Sequence, residues 1–543
     1  MRLARTGLIG LLLPLGLAAQ HEHQRRGPLP LSSVEPATIL RSDLGRHHYR
    51  ISTASDRAQA WFDQGLRWFW AFNHDEAAAA FRQAEREDST CAMCAWGVAL
   101  ALGPNINAPM PAAAVEPARA AVQRAQARRA FARPVELAMI DALALRYADG
   151  ARATLDSSYA QAMEHVVHAF PDDREARVVR ADAWMNLSPW NYWNADGSPR
   201  PATPAIVRAL QDVLATDGDH PGACHLYLHA IEARDPSRGL PCAEQLAAAM
   251  PGAGHLVHMP AHIYIRVGRY ADAINANQHA LHADEALRDR DPSGRRGLYG
   301  SGYYAHNAHF LAFAATMMGS SRLALQHATQ AVRAVDPSVA RDHPWVEAIL
   351  PLHHLTLVTF GRWKEVLQAP LPVTSRYATG MAYYARGVAF AARRRWAEAH
   401  ASHDSVRAIA SALPEGDNRR ALAIAGDALA GELSVRHGQL GEAIAAFRRA
   451  MVAEDALTYA EPPTWYYPVR HSLGKVLLKA GRAAEAEQVY REDLARFPDN
   501  GWSLVGLAES LLAQGKRREA RETTARFARA WSQADVQLRS SRF

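Results

Sequence analysis

Gly481-Arg-Ala-Ala-Glu-Ala486 and Gly515-Lys-Arg-Arg-Glu-Ala520 are one pattern written twice, 34 residues apart, and their reading decides the fold. In each, a glycine ends one helical run and a small residue opens the next. Gly438-Gln-Leu-Gly-Glu-Ala443 and Gly268-Arg-Tyr-Ala-Asp-Ala273 have the same shape. The spacing recurs early, through Gly65, Trp68, Ala77, Phe81 and Ala84, and late, through Gly474, Ala486, Tyr490 and Pro498. Weaker units pass through Gly319 and Ala324, Gly361 and Val366, and Gly387 and Ala399. A two-helix unit of this length cannot bury its apolar face alone, so successive units must stack.

A period of 34 residues is that of the tetratricopeptide repeat. The expectation is an all-α superhelix, an α-solenoid. Its small residues let helices approach and its aromatic residues fill the gaps. No alternating apolar stretch is long enough for a sheet, and no glycine-rich phosphate loop implies a nucleotide. The 543 residues are 49% hydrophobic and 21% charged, which fits a folded array and excludes a disordered chain. The net charge of +6 is spread over many helical faces, against a nucleic-acid stripe. Only four of the 61 basic residues are Lys (Lys364, Lys475, Lys479 and Lys516), a coding-sequence bias before it is a function.

Arg2 and Arg5, the apolar run Gly7–Leu17 and the small residues Ala18 and Ala19 read as a secretory signal peptide over 1–19. No later segment has the 18 apolar residues of a membrane span, so the expected address is periplasmic or secreted, without stable membrane insertion. The expected organisation continues with a flexible leader (20–42) and an N-terminal repeat-like unit (43–110). An irregular helical segment with loops (111–250), His-rich repeats (251–340) and C-terminal repeats (341–543) follow. The irregular stretch holds loops at Gly103–Pro109, Ser188–Trp193 and Asp196–Pro199. Inserted loops decorate one face of a solenoid, often the binding face, which makes Asn105, Asn107, Trp190, Tyr192 and Trp193 candidate ligand-binding residues. The bland reading is that these loops cap or plug the superhelix.

The 25 histidines concentrate in three segments. These are Cys224-His225-Leu-Tyr-Leu-His229 with Glu232 beyond, Gly254-His255-Leu-Val-His258-Met259-Pro-Ala-His262, and Tyr304-Ala-His306-Asn-Ala-His309. Spacings of i,i+4 and i,i+3 set two imidazoles on one helix face, the usual way a helix offers two nitrogen ligands to one metal. With Gly268 at repeat position 15, His258 and His262 fall at positions 5 and 9; with Gly319 there, His306 and His309 fall at 2 and 5. Those positions face the concave groove. His225 and His229 fall one residue out of this register. The expected ligands are therefore His225, His229, His255, His258, His262, His306 and His309, with Cys91, Cys94, Met259 and Glu232 as a second tier. Met259 and an extracytoplasmic address favour copper; Glu232 joining two histidines would favour zinc or iron. More than four imidazoles imply two metals or a supporting shell. The alternatives are a wet polar groove for an organic or peptide ligand, and accident.

Cys91-Ala-Met-Cys94 is followed by Ala95, so it is not a haem attachment motif. A disulfide, a redox pair and a soft copper site remain open. Cys224 and Cys242 fall on two sides of one helix–turn–helix and could make the second bridge, but four Cys allow three connectivities and the sequence does not choose among them. Whether the chain is an enzyme is open; a metal-free scaffold gripping a peptide or protein partner in its groove is the competing function.

Cys91–Gly97 running to Asn107, His225–His229, Gly254–Tyr264 and His306–Phe310 together resemble a large family of secreted bacterial tetratricopeptide repeat proteins, distantly similar to the animal tetratricopeptide repeat protein 38 group. The resemblance covers roughly residues 50 to 340 and is most specific at His258-Met-Pro-Ala-His262. It implies the solenoid and carries no catalytic role. Cys224 stands where the family pattern has Asn.

Overall fold

The structure, a computed structural model, describes residues 39–194, 196–290 and 297–543. The signal peptide and most of the leader expected over 1–42 lie outside the described residues. Helices account for every regular element among the described residues; the only strand-like pairings there are isolated bridges at Asn105–Ala108 and Trp193–Pro199. No helix there is long and apolar enough to cross a membrane.

The repeat units are antiparallel helix pairs. Examples are Asp56–Trp70 with His74–Glu87, Tyr304–Met317 with Ser321–Ala334, Val469–Lys479 with Ala483–Arg496, and Gly501–Ala513 with Arg517–Ala530. Polar caps start several of them: Ser55 accepts from the Ala58 amide, Asn73 from Glu76 and Asn500 from Ser503. The predicted turn glycines are left-handed, with φ of 81° at Gly268, 74° at Gly319, 65° at Gly361, 79° at Gly438, 74° at Gly481 and 75° at Gly515. Stacking is set by aromatic wedges. A Cβ on Gly474 or Gly506 would stand 2.3 or 2.2 Å from the Tyr490 ring, which fills the space the two glycines leave. Phe81 does the same between Gly65 and Gly97. The all-α tetratricopeptide superhelix read from the sequence is the observed architecture.

Between residues 111 and 250 the pairs lose the 34-residue register but remain helical. Asp173 caps Arg174–Met185 through the Ala176 amide, as its place after Pro171 suggests. The Cys residues form two disulfides, Cys91–Cys94 and Cys224–Cys242. The second ties Pro221–Ile231 to Leu240–Ala249.

The superhelix closes on itself. The Gly268 turn lies against Pro498. Trp502 Nε1 donates to the Thr316 carbonyl at 2.9 Å, and Tyr466 Oη is 2.7 Å from Thr316 Oγ1. Trp345 Nε1 donates to the Asn107 carbonyl at 3.2 Å. Two connecting segments, 456–468 and 531–543, pack between the arms with Trp465, Tyr466, Tyr467 and Arg542 buried. The groove expected to lie open to an external peptide is thus filled in part by the chain itself.

Candidate metal centre

Helix Pro221–Ile231 carries His225 and His229 at i,i+4. The short helices Gly254–His258 and Pro260–Arg266 carry His255, His258 and His262, and Tyr304–Met317 carries His306. Pro260 has no N–H to continue the ladder, so the middle element breaks at Met259. The break leaves His258 and His262 facing each other, Nε2 to Nε2 at 2.9 Å. His225 and His229 face each other in the same way at 3.2 Å. His255 joins the second pair and His306 the first, giving two three-histidine sets whose nitrogens lie within 4.8 Å of one another. The sets meet where the His229 and His262 rings are 5.2 Å apart.

What lies behind the rings fixes their protons. His225 Nδ1 is 2.6 Å from the Trp70 carbonyl, and His258 Nδ1 is 2.8 Å from Asn277 Oδ1. The Asn277 amide nitrogen is committed to the Ala273 carbonyl, so its oxygen is the acceptor. Glu232 takes the other two: His229 Nδ1 at 2.9 Å on Oε1 and His262 Nδ1 at 2.6 Å on Oε2. Each partner only accepts, so each Nδ1 carries the proton and donates it. Each Nε2 then presents a bare lone pair, and the four point at one another in pairs. His255, 1% exposed, has no hydrogen-bond partner on either nitrogen.

Burial opposes charge on five of the six rings. Desolvation lowers the pKa of His225, His229, His255, His258 and His306 below the usual 6.5. Burial alone would raise Glu232, but the neighbouring His262 and His229 outweigh it and hold its carboxyl down to about 2. The centre therefore consists of buried imidazole donors backed by one carboxylate that orients two of them. Such backing is the usual support of a metal-bound histidine.

Aromatic rings wall the chamber. Phe72 stacks near His225, with centroids 4.3 Å apart, and reaches His255 and His229. Trp190 lies 4.8 Å from His229, Tyr303 4.5 Å from His255, Phe310 4.6 Å from His258 and Trp345 5.7 Å from His306. Asn107 knits the cover together: its amide accepts from Trp190 Nε1 at 3.0 Å and donates to Tyr303 Oη at 3.1 Å. Asn105 accepts from the Asn107 amide and shapes that loop. Trp193 donates to the Ala230 carbonyl, pinning its loop to the His229 helix, and Tyr192 is buried beneath. Phe72 and Trp190 both hold left-handed backbones, φ 56° and 62°, a strained state for non-glycine residues that concentrates at functional sites.

Several expectations need correction. His309 does not join the set. A spacing of i,i+3 leaves two side chains about 60° apart around the helix, and the His309 ring stacks toward Tyr466 at 6.3 Å instead. Cys91 and Cys94 are joined to each other, so neither offers a thiolate. Met259 is buried at the helix break. Glu232 orients two of the rings and also forms, with His229 and His262, a further group whose ligand atoms lie within 4.8 Å of one another, so the expected arrangement of two histidines and one carboxylate stands. The histidines are buried, not the lining of a wet groove; His306 alone among the six is partly exposed. His225 and His229, one residue out of register on paper, do reach the cluster.

The sequence reading missed Phe72, whose signal is a phenylalanine at the repeat position that calls for the turn glycine. It also missed Asn277 and Trp345. A further group, His47, Glu175 and His220, went unnoticed. There Glu175 lies 3.0 Å from His47 Nε2, 3.3 Å from His220 Nε2 and 2.8 Å from the Trp70 indole donor. His220 Nδ1 accepts from the Ala223 amide, which leaves the proton on Nε2. Glu175 is thus hydrogen-bonded to His47 and Trp70 with His220 beside it, a clamp on the N-terminal arm.

A tetratricopeptide repeat family model matches residues 477–530. No curated protein matches the chain. Among solved structures it is similar to the human IFIT1 dimer with m7Gppp-AAAA, at 12% identity over 88% of this chain and 90% of that one, TM-score 0.33. The human IFIT1 dimer with PPP-AAAA gives 13%, 86% and 88%, TM-score 0.34. The APC/C hetero-tetramer Cut9-Hcn1 gives 10%, 89% and 95%, TM-score 0.25.

Proposed function

We propose that the chain is an extracytoplasmic metalloprotein holding two transition-metal ions, copper favoured over zinc or iron, one at each three-histidine set. The carrying observation is the pair of Nε2···Nε2 contacts at 3.2 and 2.9 Å between rings whose protons are all committed elsewhere. Two bare lone pairs at that distance repel unless a cation joins them. At His225, His229 and His258 burial opposes the charge a bridging proton would bring. A metal with bonds of about 2.0–2.1 Å to nitrogen spaces tetrahedral ligand atoms about 3.3 Å apart and square ones about 2.9 Å, which is the separation seen. Six imidazoles without a free thiolate suit copper, while Glu232 beside His229 and His262 keeps zinc or iron as the alternative. The two disulfides support an oxidising compartment, periplasmic or outside the cell.

Plasma mass spectrometry on untagged protein from its native compartment tests this. The expected result is about two equivalents of one metal, reduced by half or more in a His258→Ala/His262→Ala variant. Protein that is metal-free and takes up none on dialysis overturns it. A metal-free scaffold gripping a peptide is the alternative; its support lies in the C-terminal repeats, where a segment already occupies the groove.

A further inference from the structure

The helices Asp417–Arg436 and Val469–Lys479 turn one face inward at the C-terminal half of the superhelix. With Gly438 and Gly481 at repeat position 15, Glu432 and Lys475 both stand at position 9, and His471 at position 5. Those are the groove positions, and residues 532–543 are what lies against them. The segment is held at two points. At the first, Asp535 caps the start of Ser321–Ala334, accepting from the Ser321 amide at 2.7 Å and the Arg322 amide at 3.0 Å. At the second, Ser541 and Arg542 enter the groove, 1% and 7% exposed. Arg542 Nη1 pairs with Glu432 Oε1 at 2.6 Å and with Ser472 Oγ, and its guanidinium lies over the Tyr467 ring. Its carbonyl accepts from Lys475 Nζ at 2.7 Å. Ser541 Oγ donates to the His471 carbonyl and contacts Tyr490 Oη at 2.6 Å. Phe543 packs on Trp502, 5.8 Å between centroids, and against Gly361.

Between these anchors the side chains alternate. Val536 and Leu538 pack against the core while Asp535, Gln537 and Arg539 are exposed. No helix continues here. An extended segment, read on alternate side chains and gripped through its carbonyl by a groove lysine, is how a peptide sits in a receptor. A covalent extension of the core would need no charged, desolvated arginine in the middle of its contact.

We propose that this face is a peptide-recognition groove selective for a Ser-Arg-aromatic sequence, and that residues 532–543 are its intramolecular ligand. Glu432 and Tyr467 select the arginine, Lys475 the backbone beside it and Trp502 the aromatic ring. A second copy's 532–543 segment then binds in trans whenever the resident one is displaced. The inference is independent of the metal reading, since none of these residues belongs to the histidine cluster.

The test is a chain lacking residues 532–543 titrated with a fluorescent synthetic peptide of residues 533–543. Saturable binding is expected. It should be at least about tenfold weaker for the Arg542→Ala peptide, because a hydrogen bond to a charged group is lost, and similarly weakened by Glu432→Gln in the receptor. The intact chain should bind the peptide far more weakly than the shortened one. A shortened chain with unchanged helical circular dichroism that does not bind, or that binds the Arg542→Ala peptide equally, overturns the proposal. Should the shortened chain fail to fold, a protease site placed after Ser532 in the full chain serves. Once cut in the folded state, the released piece should exchange with labelled peptide; a piece that neither leaves nor exchanges overturns it.

Discussion

At position 72 the chain puts phenylalanine where its repeat register asks for glycine, and at position 394 it puts arginine. Both adopt left-handed backbones, φ 56° and 60°. Their surroundings differ: Phe72 is buried on the histidine rings, whereas Arg394 is exposed. Arg394→Gly is therefore expected to stabilise the protein by about 1 kcal/mol, the cost of a left-handed L-residue. Phe72→Gly relieves the same strain but loses an aromatic contact worth about 3 kcal/mol, so it should destabilise by about 2 kcal/mol and lower metal content. Chemical denaturation of the pair measures this; equal shifts would show that Phe72 is an ordinary turn residue. A pH prediction also belongs to single groups. Burial lowers His74 to about 4 and His309 to about 3, from 6.5, and lowers His225, His229, His255, His258 and His306 too. The unfolded chain then binds more protons below pH 6.5. The stability these rings contribute is complete above that value and drains as the pH falls toward the folded values. Thermal melts of metal-free protein should fall in midpoint from pH 6.5 to about 4; a flat profile would mean the rings are not held neutral.

At the scale of elements, the wedge of Tyr490 between Gly474 and Gly506 predicts that Gly506→Ala costs about 2 kcal/mol, since the Tyr490 ring already fills the space a Cβ would take. Gly441→Ala meets nothing within 4 Å and should be neutral or mildly stabilising. Urea unfolding of the two variants separates packing from backbone entropy. The elements were also where the sequence was most legible. A glycine at a fixed offset before a small residue reports a turn and a helix start directly, so six turn glycines could be placed by counting. The paired histidines were legible for the same reason, because i,i+4 spacing is a local geometric fact. His309 misled because i,i+3 spacing tolerates divergence, and the outcome depended on whether Tyr466, some 150 residues away, offered a place for the ring. Asn277, Trp345 and the Glu175 clamp were invisible because each acts across helices whose juxtaposition no local pattern encodes, whereas Phe72 had a local signal in the missing turn glycine.

For the whole molecule, an open solenoid unfolds unit by unit because each repeat touches only its neighbours. Here Gly268 lies on Pro498, Trp502 holds Thr316, and Ser320 binds the Gln533 carbonyl. Those contacts join units far apart in the array. Calorimetry of the metal-free protein should therefore show one cooperative transition across the N- and C-terminal halves; two resolved transitions would mean that the closing contacts add little.

Closure also has a direction in time. Chains fold from the N-terminus as they are made, and His225 to His306 emerge long before the segments that close the ring. Glu461, whose carboxyl burial pushes up to about 7 beside Arg266 and Glu232, arrives only with residues 456–468, and Arg542 last of all. A half-made chain thus exposes its six imidazoles to whatever ions surround it, and the finished one buries five of them. On the metal reading proposed above, the ion kept is set in the interval between those two events, by the compartment in which the last 88 residues, from position 456 on, fold.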